Sequence, residues 1–122
     1  MNRKLSLKIL LVLSGLLFTA AIYPLILFWR SEPALAMMLS LYVPLGIFML
    51  LAARNPSKNR SVILYAGWAN IAHAAVMGVQ RLRNVIPHRE LAGVVVFILI
   101  GIALIALAPK GQAAERASTA AA

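Results

Sequence analysis

Four stretches of this chain, Ile9–Trp29, Pro33–Ala53, Val62–Val79 and Leu91–Ala108, contain no Asp, Glu, Lys or Arg. Each is 18 or 21 residues long. A helix of that length rises roughly 27–32 Å, the thickness of a bilayer's hydrocarbon core. A segment inside hydrocarbon must satisfy its backbone N–H and C=O groups within itself, and a helix does so. The pattern predicts an all-α membrane protein, an antiparallel bundle of four transmembrane helices over about 9–29, 33–53, 62–80 and 91–108. A basic N-tail, 1–8, precedes this transmembrane domain of 9–108, and an Ala-rich C-tail, 109–122, expected to be disordered, follows it. With 62% hydrophobic residues in 122, against about 45–50% in soluble domains, the chain has too little polar surface to cover four such helices in water.

Arg3, Lys4 and Lys8 ahead of Ile9–Leu17 have the outline of a signal peptide. The apolar run nevertheless continues through Tyr23-Pro24-Leu25 to Trp29, a full spanning length, so an uncleaved first helix is expected. Twelve Lys and Arg against three Asp and Glu would suit a nucleic-acid binder. Every basic residue, however, lies beside a membrane boundary, and no basic helix with interleaved aromatics exists outside the membrane, so nucleic acid is not an expected partner. Basic residues placed in this way orient helices and attract anionic lipid headgroups. The expected partners are therefore the lipid bilayer and its anionic headgroups, with a homo-oligomer or another membrane protein also open.

Eight basic residues fall on one side of the predicted spans: Arg3, Lys4, Lys8, Arg54, Lys58, Arg60, Lys110 and Arg116. The other four, Arg30, Arg81, Arg83 and Arg89, fall on the opposite side. The positive-inside rule then puts both termini in the cytoplasm. The chain has no cysteine, which removes disulfides, thiolate metal sites and thiol redox chemistry.

The connections are short. Arg30-Ser31-Glu32 joins the first two runs and Arg54–Arg60 the next two, which makes sequential helices antiparallel neighbours. Glu32 and Glu90 fall at helix starts, where the dipole favours an anion, and Pro33 suits a first helical position. His88 and Glu90 read as a solvated pair in the last loop. Trp29 and Tyr65 read as interfacial anchors.

Polar groups inside hydrocarbon need partners, and the third run has the strongest ones. Asn70, His73, Met77 and Gln80 recur at steps of three and four, within an arc of about 80° at 100° per residue. Ala66 and Ala69 extend the stripe, while Trp68, Ile71, Ala75 and Val79 lie largely opposite, as a lipid-facing surface would. From the outer helix ends, His73 lies about 10 Å deep, Tyr23 about 9 Å, Tyr42 about 13 Å and Thr19 about 15 Å. Packing of the first three helices would gather Asn70, His73, Gln80, Tyr42 and Tyr23 into one polar cluster. Only one of Ser40 and Tyr42 can face it, because two residues differ by about 200°. The fourth run has no polar side chain and would form a greasy wall.

Two readings of the cluster stand side by side. One is helix–helix glue, each interhelical hydrogen bond contributing about 0.6 kcal/mol. The other is a ligand pocket in which His73 binds a small molecule or changes protonation. Pro44, followed by Gly46, is a candidate hinge as well as a static bend, and Pro24 a static bend nearer a helix end. Gly15/Thr19 and Ala74/Gly78 are small-xxx-small pairs that permit close helix approach. No nucleophile–base pair, phosphate loop, carboxylate pair or metal-ligand cluster is visible, so no catalytic residue, metal or cofactor is expected.

Several strings carry a resemblance: Tyr23-Pro24-Leu25, Met37-Met38-Leu39-Ser40-Leu41-Tyr42, Leu45-Gly46-Ile47-Phe48, Ala53-Arg54-Asn55-Pro56, His73-Ala74-Ala75-Val76-Met77 with Gln80, and Ala108-Pro109. Over roughly residues 5–110 the chain resembles a family of small bacterial four-helix membrane proteins designated a domain of unknown function. The resemblance implies a multi-pass protein of the bacterial inner (cell) membrane and carries over no catalytic residue. Size and helix count are also similar to those of the small multidrug-resistance transporters, but the first run lacks their membrane-embedded glutamate. Residues and resemblance together lead to an expected non-enzymatic accessory or small-apolar-ligand-binding bundle. The alternative is a small oligomeric transporter or proton-coupled channel using His73.

Overall fold

The computed structural model describes residues 2–110, all of whose regular structure is helical. The elements are α1 (Arg3–Thr19), α2 (Ile22–Phe28), α3 (Pro33–Arg54), α4 (Arg60–Leu82) and α5 (Leu91–Leu107), with one 3₁₀ turn at His88–Glu90 before α5. Four helical segments are long and apolar enough to cross a membrane: Arg3–Phe28, Pro33–Arg54, Arg60–Leu82 and His88–Leu107, of 26, 22, 23 and 20 residues. They form two compact units, divided between Asn59 and Arg60. One is the hairpin of α1, α2 and α3, and the other the hairpin of α4 and α5. Residues 111–122, most of the C-tail for which disorder is expected, lie outside the described residues.

The first span departs from its expected limits in two ways. It starts at Arg3, where the Asn2 side-chain oxygen accepts from the Leu5 N–H at 2.8 Å and caps the helix. Arg3, Lys4 and Lys8 thus ride on the first two turns of α1. Their long stems let charged heads reach water from a helix whose body is apolar. The span also breaks at Ala20-Ala21. Pro24 has no N–H to give the Ala20 carbonyl, and the Tyr23 N–H takes that carbonyl at 3.1 Å in a tighter turn. The bend expected at Pro24 therefore lies one turn before it. Pro44, by contrast, sits inside an unbroken α3.

Each hairpin is closed along a narrow seam. In the first hairpin the buried positions are Leu7, Leu11, Ser14, Gly15 and Phe18 on α1, and Tyr42, Gly46, Met49, Ala52 and Ala53 on α3. In the second hairpin they are Ile63, Ala66, Gly67, Asn70 and Ala74 on α4, and Val94, Gly101, Leu104 and Ala108 on or just after α5. Within these sets Leu7, Leu11, Ser14 and Phe18 on α1, Tyr42, Gly46, Met49 and Ala53 on α3, and Ile63, Gly67, Asn70 and Ala74 on α4 follow alternating steps of four and three, the 3.5-residue repeat of left-handed helix packing.

Lipid tails are as apolar as leucine, so burial alone does not drive helices together inside a membrane; close packing does. Both hairpins meet that need with glycine against glycine. A Cβ on Gly46 would stand 2.5 Å from the Thr19 nitrogen and 2.7 Å from the Gly15 carbonyl oxygen. A Cβ on Gly101 would stand 2.7 Å from the Gly67 carbonyl oxygen. Gly15 and Thr19, expected as a small pair, do mark a crossing, and its other half is Gly46. Ala74 and Gly78 separate: Ala74 is buried, whereas nothing lies within 4 Å of a Cβ on Gly78. The hydroxyls of Ser14, Thr19 and Ser40 bond to Leu10, Gly15 and Met37 carbonyls of their own helices. These three do not supply the interhelical bonds that the glue reading requires.

Arginines tie both ends of the second hairpin. Arg60 Nε donates to the Pro109 carbonyl at 2.8 Å. At the other end Asn84 adopts φ 58°, and the Val85 and Asn84 N–H groups donate to the Gln80 and Arg81 carbonyls in a Schellman closure. Arg81 then spans the turn, Nη1 donating to Asn84 Oδ1 at 2.9 Å and Nε to His88 Nδ1 at 3.2 Å. His88 thus pairs with Arg81, and the partner of Glu90 is the adjacent Arg89, at 3.9 Å. The expected His88–Glu90 pair does not form, because α4 ends with an arginine that reaches over the turn.

Alanine at Gly46 or Gly101 forces backbone apart and should cost about 1–3 kcal/mol each. Alanine at Gly78 meets open space and should be neutral or stabilising, since helix propensity favours it by up to about 1 kcal/mol. Melting temperatures of the three variants in one detergent check the order.

Candidate functional site

The polar residues of α4 do not all point the same way as the seam. The seam runs through Ile63, Ala66, Gly67, Asn70 and Ala74, whereas the polar stripe continues to His73, Met77 and Gln80 along its flank. Ala66 and Asn70 belong to both. His73, Met77 and Gln80 are half-buried. Ile71, expected to face lipid, approaches α5: its Cγ1 would lie 2.7 Å from a Cβ on Gly101. Trp68 and Val79 are exposed, as expected of a lipid-facing surface.

Asn70 is 0% exposed. Its Nδ2 donates to the Ala66 carbonyl one turn earlier, at 2.7 Å. Its Oδ1 accepts no hydrogen bond. An amide oxygen that is fully buried and unpartnered costs about 1–3 kcal/mol, and such groups are few in folded proteins. Nothing on the facing helix can relieve it, because α5 carries no polar side chain.

One turn further along α4, the His73 ring meets Phe97 of α5 edge-on, centroids 4.6 Å apart and planes at 76°. An aromatic contact of this kind adds about 0.5–1.5 kcal/mol to simple burial. Beyond it the hairpin loosens. A Cβ on Gly93 would meet only the flexible end of Met77, at 3.4 Å, and Gly78 faces open space. The second hairpin therefore runs from a tight glycine crossing, through a buried unmet acceptor, to a more loosely packed stretch at His73, Met77 and Phe97. Gln80 lies at the end of α4, where its backbone carbonyl holds the Val85 N–H of the turn at 2.7 Å.

Tyr42 and Tyr23 belong to the first hairpin. Tyr42 is buried on α3 with its ring 4.9 Å from that of Phe18, edge to face. Tyr23, on α2, is 69% exposed, and Ser40 is exposed as well. Within its own hairpin Tyr42 is enclosed and Tyr23 is not. Phe97, Gly67 and Gly101 complete the α4–α5 arrangement and were not among the expected site residues. The recurrence of Val94, Phe97, Gly101, Leu104 and Ala108 at steps of three and four is the signal that would have found them.

Four helices long and apolar enough to cross a membrane among the described residues mark a multi-pass membrane protein. The chain belongs to the family of unknown function DUF6632, whose model matches residues 2–120. No curated protein and no solved structure matches it.

A double-mutant cycle between His73 and Phe97 should return a coupling of about 0.5–1.5 kcal/mol in detergent melts. Asn70→Leu, which removes the orphaned oxygen at similar volume, should raise the ligand-free stability by about 1 kcal/mol. A fall in stability would mean that Asn70 has a partner that its surroundings do not reveal.

Proposed function

We propose that this protein is a non-enzymatic membrane protein whose second hairpin holds a small apolar molecule by one polar end. The observation that carries this reading is the unmet Oδ1 of the fully buried Asn70. A polar group that the fold leaves unsatisfied is costly on its own and favourable once a ligand completes it. Around it the chemistry suits such a guest: an aromatic edge pair at His73 and Phe97, a pliable Met77, and glycines at 78 and 93 where side chains would otherwise fill space.

In this reading the protein resides in a bacterial inner membrane with both ends of the chain in the cytoplasm. The excess of Lys and Arg at the start of α1, around Arg54–Arg60 and at Lys110 supports that orientation, and would draw anionic lipid headgroups to the same side.

The test is the melting temperature of the whole protein in nanodiscs across a panel of apolar small molecules, lipids and quinones, with Asn70→Leu and His73→Ala alongside. A ligand at a hundred times its Kd should add about 2.7 kcal/mol of stability to the wild type, and less to either variant. If no compound stabilises the wild type, the ligand reading falls and the protein acts through other membrane proteins.

A further inference from the structure

The orphaned atom also fixes which chemistry a ligand must bring, an inference that rests on reading the α4–α5 hairpin as a ligand site. We propose that this site selects apolar molecules ending in a hydrogen-bond donor, a phenol or an aliphatic alcohol, over isosteres whose polar end only accepts.

A side-chain amide has one donating and one accepting end, and exchanging them usually changes little in shape. At Asn70 the exchange is forbidden. Nδ2 lies 2.7 Å from the Ala66 carbonyl oxygen. Turning the amide over would set two oxygens, both acceptors, at that distance. The NH₂ end is therefore held at Ala66, and the end left unmet is Oδ1. Oδ1 can accept and cannot donate.

Within the α4–α5 hairpin the seam leaves this requirement standing. The facing helix, Leu91–Leu107, has no side-chain donor anywhere along it. The buried neighbours of Asn70 on its own seam are Ile63, Ala66, Gly67 and Ala74, none with a side-chain donor. A guest that ends in a ketone, an ether or an ester would bring a second acceptor against the first in a medium of low dielectric, where the mismatch is felt most. A hydroxyl would supply the missing proton. Further along the same hairpin, the aromatic edge at His73 and Phe97 and the flexible thioether of Met77 would suit the apolar bulk behind that hydroxyl.

The experiment compares para-octylphenol with para-octylanisole, its methyl ether, binding to the full chain in nanodiscs of one phosphatidylcholine. Ring and alkyl chain are the same, and only the donor is lost. The phenol should bind the wild type at least about tenfold more tightly, the contribution of one hydrogen bond. In Asn70→Leu the two affinities should converge to within about twofold, while the wild-type comparison stands alone if that variant does not fold. Equal affinities in the wild type would overturn the donor selectivity and leave the ligand site intact. A preference undiminished in Asn70→Leu would overturn its assignment to Asn70. Binding of neither probe, together with no stabilisation across the wider panel, would remove the ligand site itself and the selectivity with it.

Discussion

Every N–H and C=O that enters hydrocarbon must find its partner inside the protein, and the rest of this structure follows from that requirement. It confines the spans to helices. It explains why the first span, deprived of one donor by Pro24, tightens at Ala20-Ala21 until the Tyr23 N–H serves the Ala20 carbonyl. It also explains why Ser14, Thr19 and Ser40 turn their hydroxyls back on their own helices: a carbonyl four or three residues earlier is always within reach.

With the backbone satisfied internally and side chains no more apolar than the surrounding lipid, helices associate by fitting closely. Gly46 against Gly15 and Thr19, and Gly101 against Gly67, bring backbones within van der Waals contact in the two hairpins. Helix approaches of this kind also place Cα–H groups near carbonyl oxygens, a small further gain. Against that economy Asn70 stands out. It occupies a seam position in the second hairpin, where alanine and glycine neighbours carry no polar side chain, and it leaves an acceptor unmet. The functional reading rests on this one departure from an otherwise self-satisfied hairpin.

Much of the architecture was legible in the sequence, because the number and length of charge-free runs are set by bilayer thickness. The start of α1 was not, because charge ends an apolar run without ending a helix: Arg3, Lys4 and Lys8 continue the helical backbone while their heads leave the membrane. The candidate site was only partly legible. Counting polar residues at helical spacing found Asn70, His73 and Gln80, yet it placed the helix face by polarity. In lipid the contact face is chosen by size, so the seam follows Gly67, Asn70 and Ala74 and brings Ile71 toward α5. Phe97 was hidden for a related reason. It is an apolar residue among many on α5, and only its position opposite His73 distinguishes it.

The central claim is that the chain crosses a membrane four times as two hairpins. Because the chain has no cysteine, single cysteines can be introduced at Ser31, Ser57 and Val85 and labelled with a membrane-impermeant maleimide from each side of sealed vesicles. The account predicts that Ser31→Cys and Val85→Cys react from one side and Ser57→Cys from the other. Reaction of Ser31→Cys and Ser57→Cys from the same side would contradict it, since Pro33–Arg54 would then not span the bilayer.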